Sequence, residues 1–293
     1  MKLSTLFAAS LCALGVSAKP IHNAHAHQKG IVPGKHYDRI FIIYHENKDY
    51  EDVQADDYFP TIAENHNGVV LTNYFGVTHP SQPNYVALIS GSIEGINRDN
   101  NSDVDRHSIV DLLEKKGISW KSYQQGYPGN CFKGEESGTY RRKHNPFMSF
   151  TNIHNDEKRC ANIVNADQLY EDIKTNSVPQ FVWFTPDMNN DGHDTDLAYS
   201  SNWTKSFIEP LMKEKNLTKN TLFVLTWDEN DTWTKPNQVY TVLFGPAVKR
   251  SVKTDDTSYN HYSVLRSVEE NWHLGNLGLN DLNHTAIRVK DNC

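Results

Sequence analysis

Three stretches of this chain are continuously apolar and rich in β-branched or aromatic residues. They are Ile40-Phe41-Ile42-Ile43-Tyr44, Phe181-Val182-Trp183-Phe184 and Thr221-Leu222-Phe223-Val224-Leu225-Thr226-Trp227. Runs this short read as strands, and the absence of polar alternation means burial on both faces. A strand covered on both faces needs a layer of helices on each side. Helical patterns lie between the strands, at Ser108–Lys116, over 200–214 with a kink expected at Pro210, and from Val264 to Trp272. Further strands are expected at Val69–Phe75, Ile118–Tyr123 and Gln238–Phe244, and further helices at Tyr58–Asn65 and Val164–Lys174. The fold class is therefore α/β, a mainly parallel sheet with helices on both faces. In such a sheet the strand C-terminal ends share one edge, and ligands bind there.

The residues at those ends are consistent in kind. The first strand runs into His45-Glu46-Asn47, the second into Asp187 and Asp191, the third into Asp228-Glu229. Carboxylates converging on one edge repel each other unless a cation or protons intervene. Oxygen donors of this type suit one divalent metal ion, Mg, Ca, Mn or Zn. A fourth turn, Thr78-His79-Pro80-Ser81-Gln82-Pro83-Asn84-Tyr85, precedes the apolar run Val86-Ala87-Leu88-Ile89. Its prolines pin the backbone around Ser81. A serine entering a helix is either an N-cap or a group presented at the positive helix end, where a phosphate is favoured.

Met1-Lys2-Leu3, the apolar stretch to Val16 and the small-residue ending Val16-Ser17-Ala18 form a secretory signal over 1–18. Residues 19–36, with His22, His25, His27 and His36, read as a mobile N-terminal arm, and 37–293 as a single domain. No other segment is long and apolar enough to span a bilayer. In an exported chain two of Cys131, Cys160 and Cys293 should pair. Cys131 with Cys160 is the expected bridge, closing the aperiodic stretch 125–160, with Cys293 either free or half of a different pair. Asn-x-Ser/Thr acceptors occur at Asn100, Asn202, Asn216 and Asn283, and at Asn230 beside the proposed acidic pair, where glycan attachment is not expected. The net charge of −7 argues against nucleic acid as a partner. The basic cluster Tyr140-Arg141-Arg142-Lys143-His144 reads as a solvated loop, the alternative being an anion-attracting cleft wall.

Taken in order, Glu46-Asn47, His79 to Tyr85, Asn190-Asp191-Gly192-His193-Asp194 and Thr226-Trp227-Asp228-Glu229-Asn230 resemble the phosphoesterase family of exported acid phosphatases and bacterial phospholipases C. Within it the chain is most similar to the fungal secreted acid phosphatases. The resemblance covers nearly all of residues 38–275 and implies an alkaline-phosphatase-like fold. It implies Glu46, Asn47, Asp228 and Glu229 as metal ligands, Ser81 as nucleophile, and His193 and His261 as catalytic histidines near the phosphate. Asn84, Asp187 and Asp191 are the expected substrate-binding residues. The implied function is a secreted acid phosphatase, in the medium or the cell wall, hydrolysing small phosphoric monoesters through a phosphoserine. The alternatives are a phospholipase C-like phosphodiesterase and a non-catalytic binding protein on the same fold.

Overall fold

A computed structural model describes residues 30–291 of the 293-residue chain. The expected signal at 1–18, the first part of the N-terminal arm and Cys293 lie outside them. Eight strands make the central sheet: β1 Arg39–His45, β2 Val69–Leu71, β3 Trp120–Gln124, β4 Ile163–Asn165, β5 Phe181–Thr185, β6 Thr221–Trp227, β7 Thr241–Phe244 and β8 Thr254–Asp255. Their spatial order is β8-β2-β7-β6-β1-β5-β3-β4. Every pairing is parallel except the two made by β7. Five principal helices pack on the sheet: α1 Ser81–Ser90, α2 Ile109–Lys116, α3 Gln168–Lys174, α4 Leu197–Leu211 and α5 His261–Trp272.

β1 shows why an unbroken apolar run was required. Its alternate residues point to opposite faces. Phe41 and His45 meet Phe207 and Trp203 of α4, while Tyr44 meets Tyr85 of α1 and His261 of α5. All seven residues of β1 are buried, as are all seven of β6. Nearly all the buried apolar residues from Tyr37 to Val289 form one continuous cluster.

Four local expectations are corrected. The single strand expected over Val69–Phe75 is two, because Tyr74–Phe75 leaves the main sheet to pair with Tyr259–Asn260. The helix expected from Val164 begins at Gln168, and Ile163–Asn165 instead adds an edge strand beside β3. A short helix at Tyr50–Gln54 follows the first acidic turn, with no apolar period to announce it. The end of the supposedly mobile arm is fastened: Val32 exchanges hydrogen bonds with the Gln180 amide, and the His36 N–H donates to Asn271. Cys131 and Cys160 are bonded to each other across the irregular 125–160 excursion.

Candidate active site

Register delivers the first two acids to one point. In the parallel β1–β6 pair, Tyr44 lies opposite Thr226 and His45 opposite Trp227. Glu46 and Asp228 therefore leave adjacent strands at the same level, and the Asp228 N–H donates to the His45 carbonyl at 3.1 Å. Ser81 is the first residue of α1, after a cis His79–Pro80 bond. Its hydroxyl donates to Glu46 Oε2 at 3.0 Å and lies 3.4 Å from Glu229 Oε1. Tyr85, one helical turn on, donates to Glu46 Oε1 at 2.9 Å. The N-cap position of α1 is Pro80 and not Ser81, and Pro80 offers no side-chain cap. The cap is supplied by Asp99, whose Oδ1 accepts from the Gln82 N–H at 3.0 Å and whose Oδ2 accepts from Lys143 Nζ at 2.8 Å.

Four carboxyl groups, Glu46, Asp191, Asp228 and Glu229, are buried together. Burial alone would raise all four above the usual carboxylate range. Glu46 is the exception. His144 Nε2 lies 2.9 Å from its Oε1 and, with Lys143 and His193 nearby, holds it below that range. Asp228 is pushed well up by burial and then by the facing Glu46 and Glu229 charges. Asp191 is pushed up by burial and by Glu46. Glu229 is pushed up to about 9 by burial, Glu46 and Asp99. Its Oε2 touches His79 Nδ1, whose own pKa is lowered by burial, so both directions describe a neutral pair sharing one proton. Glu46 is thus the one carboxyl of the four held low, while its acidic neighbours are pushed up.

The structure brings together Ser81, Glu46, Asp228 and Glu229, and sets Asp191 behind them, 3.6 Å from His144 Nδ1. Asn47 is half-buried at the rim and donates to Asp231 at 3.0 Å. His193 is exposed at the rim, its ring 6.1 Å from that of His144 and its Nδ1 2.8 Å from Asp194 Oδ1.

Three assignments change. His261 is fully buried beneath the site, where Nε2 donates to the Asp228 carbonyl at 2.7 Å and Nδ1 accepts from the Tyr74 hydroxyl at 3.0 Å. Burial lowers it to about 4, so it is neutral, and it positions the Asp228 backbone rather than facing a substrate. Asn84 spends its whole amide on the Ser81 turn. Oδ1 accepts from the Val77 and Thr78 N–H groups, and Nδ2 donates to the Thr78 and Pro80 carbonyls. Asp187 is likewise consumed by its own turn, accepting from the Asn189 and Asn190 N–H groups and from the Thr139 hydroxyl.

The basic cluster is a site wall and not a solvated loop. Tyr140, Arg142 and His144 are buried in alternation, with Arg142 tied to the carbonyls of Lys133, Ser102 and Met148. His144 stacks flat on Tyr85, ring centroids 5.1 Å apart. Its period of two was the one sequence signal available, and the run of charge obscured it. Asn100, Asn202, Asn216 and Asn283 are exposed, whereas Asn230 is buried with its amide donated to the Thr232 carbonyl.

Among the described residues no group of three or more His, Cys, Asp or Glu side chains is already arranged as a cation shell. Both Asp228 carboxyl oxygens and Asp191 Oδ2 are nevertheless buried without a hydrogen-bond partner. Buried polar oxygens are rarely left so. With Glu46, Glu229 and the Ser81 oxygen they form an all-oxygen donor set that fits a hard or borderline divalent ion.

Comparisons with known proteins find relatives over most of this chain. Residues 53–275 match the profile of the Phosphoesterase family. A probable acid phosphatase of Kluyveromyces lactis is 39% identical over 272 residues, covering 89% of this chain and 64% of that protein. A phosphate-repressible acid phosphatase of Penicillium chrysogenum is 38% identical over 267 residues, covering 88% and 64%. The chain thus spans just under two thirds of the length of these curated relatives. The crystal structure of a protein of the alkaline phosphatase superfamily from Vibrio parahaemolyticus superposes with a TM-score of 0.55 at 12% identity, covering 88% of this chain and 72% of that one. That likeness establishes the alkaline-phosphatase-like fold. With the profile spanning most of the chain, this protein belongs to the phosphoesterase family.

Proposed function

We propose that this protein is a secreted acid phosphatase that hydrolyses phosphoric monoesters through a phosphoserine at Ser81. The observation that carries the reading is the Ser81 hydroxyl, held at the start of α1 and donating at 3.0 Å to the ionised Glu46. That bond aims an oxygen lone pair away from Glu46, towards an incoming phosphorus. Attack forms the Oγ–P bond, the Ser81 proton passes to Glu46, and the P–O bond to the alcohol breaks. His193, exposed with its ring 6.1 Å from that of His144, would give the departing alcohol its proton, and His144 would keep Glu46 in place. Water then cleaves the phosphoserine and returns Ser81. A divalent cation bound by Glu46, Asp228, Glu229 and Ser81, with Asn47 at its edge, would neutralise the buried carboxylates and favour the Ser81 alkoxide. The signal at 1–18, the disulfide and the four exposed glycan acceptors support export.

The test is an assay of purified wild type and Ser81→Ala on p-nitrophenyl phosphate and on phosphatidylcholine, with and without exhaustive chelation. The expected result is phosphate release from the monoester alone, lost on chelation and restored by a divalent ion. Ser81→Ala should fold normally and lose turnover by at least ~10³-fold, as when a nucleophile is removed. Wild-type rates in Ser81→Ala would overturn the nucleophile. Cleavage of phosphatidylcholine would favour the phosphodiesterase alternative.

A further inference from the structure

Trp233 is the most exposed large apolar side chain among the described residues, at 62%. Isolated apolar residues are common on protein surfaces and need no explanation. Trp233 differs in its setting. One face of its ring stacks on the His79 imidazole, centroids 4.8 Å apart and planes 24° from parallel, which leaves the other face to solvent. His79 in turn touches Glu229, and Glu229 lies 3.4 Å from the Ser81 oxygen.

The loop that carries Trp233 is pinned on both sides of it. The Thr232 N–H and hydroxyl both donate to Asp49, and Lys235 Nζ reaches the same carboxylate at 2.6 Å. Asn237 accepts from the Asn230 N–H and donates to the Thr78 carbonyl, stitching this loop to the Ser81 turn. Asp231 accepts from Asn47 at the rim. This loop is tied down by partly buried hydrogen bonds, and the ring it presents stands against His79 beside the site. A rigid, half-covered aromatic face is what base stacking uses, because every flat ring has a π face and little side-chain entropy is lost.

We propose that Trp233 is a specificity-determining residue that stacks a planar ring in the leaving group of the ester. Two side chains, His79 and Glu229, separate the ring from the Ser81 oxygen. A planar ring set off from the ester oxygen by a linker that spans those two side chains would meet the free face of Trp233, and the base of a nucleoside 5′-monophosphate, carried beyond a pentose, is such a ring. The substrate class favoured is therefore nucleoside 5′-monophosphates over alkyl phosphates.

This inference rests on the monoesterase reading, and the experiment separates the two. KM and kcat are measured for a nucleoside 5′-monophosphate and for glycerol phosphate, in wild type, Trp233→Ala and Trp233→Phe. In Trp233→Ala the ratio of nucleotide KM to glycerol phosphate KM should rise about tenfold, within what one base–aromatic stack supplies. Trp233→Phe, which keeps a flat ring, should recover most of that ratio. An unchanged ratio, or equal rises in both KM values, would overturn the proposal and leave Trp233 a cover for His79. Failure of the wild type to hydrolyse either ester would instead overturn the monoesterase reading.

Discussion

Glu269 offers a quantitative test of the buried electrostatics at a place remote from the site. It lies on α5 and is 1% exposed, and Arg266 Nη1 comes no closer to its Oε2 than 3.8 Å. Burial, then the neighbouring Asp281, push its pKa from the usual 4.5 up to about 8. Asp281 is fixed beside it, its oxygens accepting from the Leu277, Gly278 and Leu279 N–H groups. The folded pKa is raised, so the folded chain binds the proton more tightly than the unfolded one. Below pH 4.5 both states are protonated and nothing is lost. Between pH 4.5 and 8 stability falls, reaching a cost of about 3 kcal/mol at pH 7. Glu269→Gln, which mimics the protonated acid and keeps a donor for Asp281, should remove that cost. The gain at pH 7 is then up to about 3 kcal/mol, or roughly 6–10 °C in Tm for a domain of this size. The assay is thermal unfolding of wild type and variant in chelator at both pH values. A gain of equal size at pH 4.5, or none at pH 7, would refute the reasoning.

Three further outcomes are expected. Asn84→Ala removes an amide making four hydrogen bonds within the Ser81 turn, and should cost about 3–5 kcal/mol in urea unfolding together with most of the activity. His144→Ala should lower kcat/KM by about 10²-fold with little change in fold, since it removes the imidazole 2.9 Å from Glu46 that holds that carboxyl in place; rates within twofold of wild type would contradict the placement. Asp99→Asn removes a negative charge from the N-terminus of α1 and should lower KM for a monoester, and strengthen inhibition by inorganic phosphate, by about three- to tenfold.

The sheet was readable because its chemistry is redundant. An apolar run buried on both faces cannot be a surface element, so β1, β5 and β6 declared themselves, and with them the edge where Glu46 and Asp228 emerge. The helix that starts at Ser81 was readable because two prolines and a following apolar run frame its beginning. The wall was not. His144 reaches Glu46 across the molecule through a segment of short turns whose period is hidden by charge, and its burial depends on Tyr85 from a distant helix. His261, Asn84 and Asp187 show the complementary error. A polar residue next to a reactive one looks like a substrate ligand in sequence, yet each of the three is used up on the backbone it supports. Hydrogen-bond saturation is a tertiary property that residue type does not encode.

Those saturated residues also divide the rim into parts that can be altered separately. Asn84, Asp187 and Asp49 each close one loop by a side-chain clasp, and each clasp is satisfied within its own segment or by one neighbour. For protein engineering this makes the site a frame with exchangeable panels. Thr234 and Pro236 are exposed. Positions of this kind can be randomised to retune which esters are accepted, provided the clasp residues are held fixed. A library that instead varies a clasp will return misfolded proteins in place of new specificities.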